Sequence, residues 1–152
     1  MKKVTLLSLA VILAAGVSMS FISLPEDKEE EAVKELVLTS YVHGAFNALN
    51  PDAMRKGFHE DFAIYSPKGE KISKYPIAAW ADGVEQRLMH DYDADDPKNK
   101  WEHKFAMVDV TGHAAQVKIE LHNQGKHVYT DYLSLLKFDS GWRIVAKVYQ
   151  QH

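Results

Sequence analysis

The sequence predicts an α+β protein, a cone in which three helices from the N-terminal half pack on the concave face of a curved mixed or antiparallel sheet. Two patterns support this prediction. Between residues 30 and 90, apolar side chains recur at three- and four-residue steps, as on helices, and from Trp101 onward they alternate with polar ones, as on strands. Helices followed by a meander of strands are typical of this class. The interior of such a cone has room for a small molecule.

Each predicted helix has a recognisable beginning. An acidic run at residues 25–31 opens the first helix, since negative charge is favourable at a helix N-terminus. Asn50 and Pro51 suit the cap and the first position of a short second helix that ends near Gly57. The third helix is predicted at residues 76–88. The apolar stripes of the first and third helices are formed by Ala32, Val33, Leu36, Val37, Tyr41, Ala45 and Leu49, and by Ile77, Trp80, Val84 and Leu88.

Strands are predicted at residues 58–67, 104–111 and 114–122, and in a terminal hairpin at residues 129–149. The hairpin turns at residues 139–141, where a glycine follows two polar residues. Its second arm alternates strictly, and we expect the polar members of that arm to lie on the outer, convex face, solvated or at a dimer contact. The two faces of this arm are Trp142, Ile144, Ala146 and Val148 inside, and Arg143 and Lys147 outside.

Asp131 shares its face of the first arm with apolar residues (Tyr129, Leu133 and Leu135). An acid among apolar neighbours is paired, neutral or functional. Because Arg143 and Lys147 are assigned to the opposite face, no basic side chain is placed to neutralise the aspartate. We therefore expect a protonated Asp131 that donates a hydrogen bond.

Composition limits the class of protein. A chain of 152 residues suits one domain, and 46% hydrophobic and 26% charged residues are ordinary for a soluble globular protein. The net charge of −3 gives no reason to expect nucleic acid as a partner. With no cysteine, disulfides, thiolate catalysis and Cys-ligated zinc are excluded. No cofactor is predicted.

The first twenty residues have the composition of a signal peptide. Lys2 and Lys3 provide a positive start, residues 4–17 an apolar core, and residues 18–20 (Ser-Met-Ser) the small residues that a signal peptidase needs. The predicted organisation is a signal peptide at 1–20, an acidic linker at 21–29 and a single domain at 30–152.

A cleaved signal predicts a periplasmic or secreted protein. The alternative is an uncleaved anchor, because residues 4–24 have no charge and could just span a bilayer core of roughly 30 Å. Association with a membrane is expected only in that case.

Five stretches of the domain match one known family in their residue pattern, and the terminal hairpin is the most specific of them. They are Ser40–Phe46, Phe58–Asp61, Trp80, Thr130–Leu136 and Gly141–Val148. Over roughly residues 30–150 the chain resembles the nuclear transport factor 2-like superfamily, and more narrowly its branch named "putative lumazine-binding". The resemblance implies a cone fold, often a homodimer through the sheet. The superfamily includes ketosteroid isomerase, polyketide cyclases and dehydratases, alongside members that only bind.

The comparison with ketosteroid isomerase assigns possible roles to three residues. Tyr41 takes the place of its oxyanion tyrosine, and Asp131 that of the aspartic acid that an apolar site keeps neutral. The general base of the isomerase falls at about Ser66, and serine is not a base without a partner. The resemblance therefore argues against steroid isomerisation and leaves His59 as the nearest titratable substitute.

These residues predict an exported small-molecule-binding domain with an internal pocket lined by Tyr41, His59 and Asp131, whose ligand is small and partly apolar. The alternative is an enzyme of the isomerase, dehydratase or cyclase type, with His59 as base and the other two as hydrogen-bond donors. A buried structural network is the third interpretation. The expected ligand-contacting residues are Tyr41, Phe46, Phe62, Trp80 and Leu133.

Two patterns suggest metal sites without predicting one. Residues 91–102 place acidic and amide side chains at calcium-loop positions, but Asp96 occupies the position that requires glycine and no helix follows, so we expect a solvated acidic loop. His122 and His127 flank a turn and could approach each other. We expect exposed histidines at the sheet edge and no metal.

Overall fold

The computed structural model describes residues 26–90 and 92–152. The predicted signal peptide and residues 21–25 of the predicted linker lie outside this part of the chain. The first helix begins at Glu26, so the last four residues of the linker are helical. No helix within the described residues is both long enough and apolar enough to span a membrane.

The three helices begin and end close to their predicted bounds. α1 comprises Glu26–Leu36 and continues directly into a π-helical segment, Val37–Asn47. α2 comprises Pro51–Gly57, and the Asn50 side chain caps it by accepting a hydrogen bond from the backbone N–H of Ala53 at 3.0 Å. α3 comprises Ile77–Met89.

The described residues form one six-stranded sheet. Its strands are β1 (Phe58–Lys68), β2 (Lys71–Pro76), β3 (Trp101–Thr111), β4 (Ala114–Asn123), β5 (Lys126–Phe138) and β6 (Gly141–Gln151). Their order is β2-β1-β6-β5-β4-β3, with β1 parallel to β6 and the other neighbours antiparallel. The mixed, curved, open sheet with three helices confirms the predicted α+β class.

The helices pack on the inner face of the sheet, and the core lies between the two layers. Tyr41 of the π-helical segment, Phe62 of β1 and Leu133 of β5 are fully or almost fully buried there. The N-terminal helix is also fastened to the terminal hairpin by Glu29. Its carboxylate accepts hydrogen bonds from Lys137 Nζ at 2.6 Å and from Trp142 Nε1 at 2.8 Å.

A bulge in β6 corrects the predicted faces of the terminal hairpin. Leu135 pairs with Ile144 and Ser134 with Ala146, so Val145 is an extra residue without an opposite partner. An unpaired residue reverses the alternation beyond it. Lys147, predicted on the outer face, therefore points inward and retains only 5% of its exposure.

Candidate functional site

Three polar side chains from three elements meet inside the cone. The Tyr41 hydroxyl donates a hydrogen bond to Oδ2 of Asp131 at 2.5 Å, and Lys147 Nζ donates to the Tyr41 oxygen at 2.6 Å. Lys147 Nζ also lies 2.9 Å from Oδ1 of Asp131. Tyr41 and Asp131 are fully buried. We call Tyr41, Asp131 and Lys147 the buried triad.

The contacts of Asp131 correct the prediction of a neutral, hydrogen-bond-donating acid. One oxygen accepts from Tyr41, and the other forms an ion pair with Lys147. These contacts make Asp131 a hydrogen-bond acceptor beside a cation, where the sequence predicted a donor with no basic neighbour. Oδ1 therefore has the Lys147 ammonium group as its partner, at 2.9 Å. Sequence reasoning missed Lys147 because the bulge at Val145 is not visible in the pattern of β6 alone.

Burial shifts the pKa values of both proton donors of the triad, Lys147 and Tyr41. It lowers the pKa of Lys147 below its ordinary value of 10.5, although the carboxylate of Asp131 acts in the opposite direction. It also raises the pKa of Tyr41 well above 10.0, and the negative charge of Asp131 adds to this shift. The triad therefore keeps the Tyr41 proton, and the Asp131 contact offsets part of the desolvation cost of its ammonium group.

Aromatic rings surround the ammonium group of Lys147. Its Nζ lies 4.8 Å from the ring centroid of Tyr41, 5.1 Å from that of Tyr149 and 5.6 Å from that of Trp80. The ring of Tyr129 lies at 6.0 Å. These distances fall within the range of cation–π attraction.

Some of these rings also reach solvent. Trp101 and Tyr129 are half-buried and stacked, with centroids 5.9 Å apart, and Tyr149 meets Tyr129 edge-on at 5.9 Å while remaining 41% exposed. We call Trp101, Tyr129 and Tyr149 the aromatic shelf. It lies on the inner face next to Lys147 and offers a flat ligand an accessible surface.

The structure brings Tyr41 and Asp131 together but separates His59 from them. The His59 ring stacks on Phe138, with centroids 4.9 Å apart, and its Nδ1 accepts from the backbone N–H of Asp61 at 3.2 Å. Phe138 and Asp131 are seven residues apart on β5, which corresponds to roughly 20 Å along a strand. The predicted pocket lined by Tyr41, His59 and Asp131 together is therefore not present.

The remaining predicted contact residues lie around the triad. Phe46 meets the Tyr41 ring edge-on at 5.4 Å, and Trp80 meets it at 6.0 Å. Phe62 stacks on Trp80 at 6.1 Å, and Leu133 pairs directly with Lys147 across β5 and β6. Their burial fits a core role as well as a role in lining a pocket.

Three cavities at the surface are lined by other residues. The largest, of about 530 Å³, lies between α1 and the β5–β6 turn beside Glu29 and Trp142. A second, of about 360 Å³, lies between the end of α3 and the loop beside Tyr92, and a third, of about 270 Å³, lies on the outer sheet face beside Gln116 and Ser134. The linings of these three cavities do not include the triad.

The acidic loop before β3 uses its described carboxylates locally. Asp96 accepts from the backbone N–H of Lys98 and forms an ion pair with Lys98 Nζ at 2.9 Å. Asp95 lies 3.6 Å from Lys100 Nζ, and Oδ1 of Asp93 accepts from the backbone N–H of Asp95. These contacts suit a solvated turn, whereas Asp91, the first position of the calcium pattern, lies outside the described residues.

Solved structures define the class to which this fold belongs. A protein from Shewanella baltica is 24% identical, with a TM-score of 0.66 and coverage of 86% of this chain and 98% of that one. A protein from Silicibacter pomeroyi is 19% identical, with a TM-score of 0.65 and coverage of 85% and 100%. A third, from Methylobacillus flagellatus, is 23% identical, with a TM-score of 0.59 and coverage of 86% and 97%. All three are described as nuclear transport factor 2-like proteins of unknown function, so this chain has the nuclear transport factor 2-like fold.

Within that class the family is also defined. The family model described as "Putative lumazine-binding" matches residues 28–150, and the chain belongs to this family. The resemblance predicted from the sequence is confirmed. No curated protein sequence matches the chain.

Proposed function

We propose that this protein is an exported domain that binds a flat, partly apolar heterocycle on the aromatic shelf, with a hydrogen-bond acceptor of the ligand directed at Lys147. The observation that supports this proposal is the position of the Lys147 ammonium group. It is buried against the Asp131 carboxylate and surrounded by aromatic rings, one of which, Tyr149, is open to solvent.

The chemistry of the triad suits recognition of an acceptor. An ammonium group has three donors, and one of those of Lys147 is used by Tyr41. A second faces Oδ1 of Asp131 at 2.9 Å, which leaves the third for a ligand. A carbonyl or deprotonated ring nitrogen could therefore compete for the ammonium group, while the ligand ring stacks on Tyr149 or Tyr129.

The family description is consistent with this ligand chemistry. Lumazine is a flat bicyclic heterocycle whose carbonyl oxygens and ring nitrogens accept hydrogen bonds. Binding of a small molecule is what the family name suggests. We extend it to this chain as a class of ligand, namely pteridine-like and flavin-like rings.

The enzyme alternative requires a different base from the one predicted. His59 stacks on Phe138, which lies seven residues along β5 from Asp131 of the triad. Lys147 is the titratable group whose lowered pKa favours this second function, because a desolvated amine beside a tyrosine hydroxyl can exchange protons with a bound substrate. Recovery of a chemically unchanged ligand after prolonged incubation distinguishes binding from catalysis.

Export and dimerisation complete the proposal. The apolar segment at residues 4–17 after two lysines supports export to the periplasm or the medium, and a new N-terminus near Phe21 in the purified native protein would test it. Large apolar side chains exposed on the outer sheet face support a homodimer through the sheet, which sedimentation would detect. They are Met107, Tyr132, Leu136 and Val148.

A thermal-shift screen tests the proposed ligand class. A ligand that binds only the folded state raises the unfolding temperature. We expect lumazine, pterin or riboflavin to raise it, and a sterol or a small aliphatic acid to leave it unchanged. Stabilisation by the sterol alone, or by none of the compounds, would reject the proposal.

A further inference from the structure

A second bulge turns His127 towards His122 on the outer face of the sheet. Leu121 pairs with Tyr129 and His122 with His127, so Val128 is an extra residue in β5. Without it His127 would share the inner face with Tyr129. The bulge instead places its ring beside that of His122, with centroids 4.7 Å apart. The histidines lie half-buried on interior strands of the sheet, which corrects the expectation of exposed residues at a sheet edge.

A carboxylate completes this group. Glu120 precedes His122 by two residues on β4 and therefore shares its face. One potential ligand atom from each of Glu120, His122 and His127 lies within 4.8 Å of the others. A divalent ion placed among them needs only small side-chain movements, since zinc–ligand distances are about 2.0–2.2 Å for imidazole nitrogen and carboxylate oxygen.

Neighbouring groups fix the orientation of His127. Its Nε2 lies 3.0 Å from the carbonyl oxygen of Tyr129, a contact that suits the tautomer with the proton on Nε2. In that tautomer Nδ1 is the nitrogen that can bind a metal ion. Metal-bound histidines typically donate their other ring N–H to a carbonyl or carboxylate in this way.

Thr130 and His152 support the same ring. The Thr130 hydroxyl lies 3.0 Å from Nε2 of His127 and 3.0 Å from Nε2 of His152, so it connects the two. The His152 ring packs against His127 with centroids 4.1 Å apart. The His127 ring is therefore held from β5 and from the end of β6.

The competing partner of Glu120 is weak. Lys104 Nζ lies 3.6 Å from its carboxylate, and the lysine side chain is 69% exposed. An exposed ion pair of this kind contributes little. A metal ion would displace it without leaving a buried charge. Glu102, which pairs with His122 across β3 and β4, brings a second carboxylate to the same part of the outer face.

We propose that Glu120, His122 and His127 form a zinc site on the outer face of the sheet. Two imidazoles and one carboxylate are ligands that Zn²⁺ accepts, and three protein ligands leave the fourth position for water, as in open zinc sites. This site is separate from the buried triad, which lies on the inner face.

Calorimetric titration of the chelator-treated protein with ZnCl₂ tests the proposal. We expect one ion to bind per chain. His122→Ala and His127→Ala should each weaken binding by about tenfold or more, and Thr130→Val, which removes the support of the His127 ring, should weaken it by about tenfold. His90→Ala is the matched control, since it removes an exposed histidine outside the group and should leave the affinity unchanged.

A second readout covers variants that fold poorly. Co²⁺ added to the wild-type protein should give the visible absorption bands of a four-coordinate ion, and Zn²⁺ should raise the unfolding temperature. Absence of one-to-one binding by the wild-type protein would overturn the proposal. Binding that is lost equally in His90→Ala, or retained in the Glu120→Gln, His122→Ala, His127→Ala triple variant, would overturn it as well.

Discussion

Lys147 and Asp131 form a buried ion pair across adjacent strands, with Nζ and Oδ1 2.9 Å apart. The two residues meet because Val145 is unpaired in β6, which turns Lys147 from the solvent side to the inside of the cone. A buried ion pair is costly to form, but removing one partner is costlier still, because the other charge remains desolvated.

Replacing Lys147 should therefore destabilise the protein strongly. We expect Lys147→Met to lower the free energy of unfolding by about 3–5 kcal/mol, as for other broken buried pairs. Urea denaturation measures this change. The double variant Lys147→Met, Asp131→Leu should recover much of the loss, since it removes both charges. Lys104→Met is the control, because it breaks only the exposed pair with Glu120 and should cost less than about 1 kcal/mol. If Lys147→Met and Lys104→Met lowered the free energy of unfolding equally, the result would contradict a buried ion pair.

The hydroxyl of Tyr41 connects the two charges of this pair, and removing it should lower the stability by a measurable amount of its own. In Tyr41→Phe both hydrogen bonds disappear while the ring keeps its packing, so we expect a loss of about 1–3 kcal/mol of stability. Tyr132→Phe removes a hydroxyl from the outer face and should be nearly neutral. Denaturation curves of both variants, measured side by side, provide the comparison.

The Glu29 carboxylate makes the stability of the protein depend on pH in the acidic range. Hydrogen bonds from Lys137 and Trp142 lower the pKa of Glu29 below its ordinary value of 4.5, and His113 adds a small effect in the same direction. The unfolded state therefore binds the proton more readily. The stability that Glu29 contributes is fully present above pH 4.5 and is lost as the pH falls through the lowered folded value.

Glu29→Gln should remove this part of the pH dependence. The free energy of unfolding of the variant should change less with pH in the acidic range than that of the wild-type protein, and tryptophan fluorescence can follow the transition. Glu31→Gln, an exposed acid on the same helix, is the control. A wild-type slope retained in Glu29→Gln would show that another group is responsible.

Gly57 is required by a close approach between α2 and the π-helical segment. A Cβ atom at this position would lie 2.0 Å from the Ser40 hydroxyl oxygen and 2.3 Å from its Cβ. We expect Gly57→Ala to destabilise the protein by about 1–3 kcal/mol, the usual cost of overpacking. In Gly83→Ala the new atom has its nearest contact at 3.4 Å, with the Tyr75 hydroxyl, and a helical glycine is replaced, so a gain of up to about 1 kcal/mol is expected. Thermal unfolding should show a lower midpoint for Gly57→Ala and an unchanged or higher midpoint for Gly83→Ala.

Features determined by residues that are close together in the sequence were predictable. The Asn50 cap, Pro51 and the end of α2 at Gly57 follow from the preferences of single residues, and the structure has them at the predicted positions. Strand β2 was not predicted, because all its residues are exposed and it lacks an alternating pattern.

The side-chain directions beyond the bulges could not be predicted in the same way. Lys147 and His127 follow unpaired residues, and whether a residue is unpaired depends on the register with another strand. The alternation of one strand contains no information about its partner's register. The pairing of Tyr41 with Asp131 was predicted from the sequence, whereas the inward position of Lys147 emerged only from the three-dimensional structure.

A matched pair of tyrosines gives the most direct test of the proposed ligand site. Tyr149 on the inner face and Tyr132 on the outer face are 41% and 42% exposed, so their removal changes the surface equally. Calorimetric titration should use lumazine, or whichever heterocycle gives the largest thermal shift. We expect Tyr149→Ala to weaken binding by roughly fivefold, about 1 kcal/mol of lost stacking, and Tyr132→Ala to leave the affinity unchanged. Equal affinities in the two variants, or a loss confined to Tyr132→Ala, would contradict binding on the aromatic shelf.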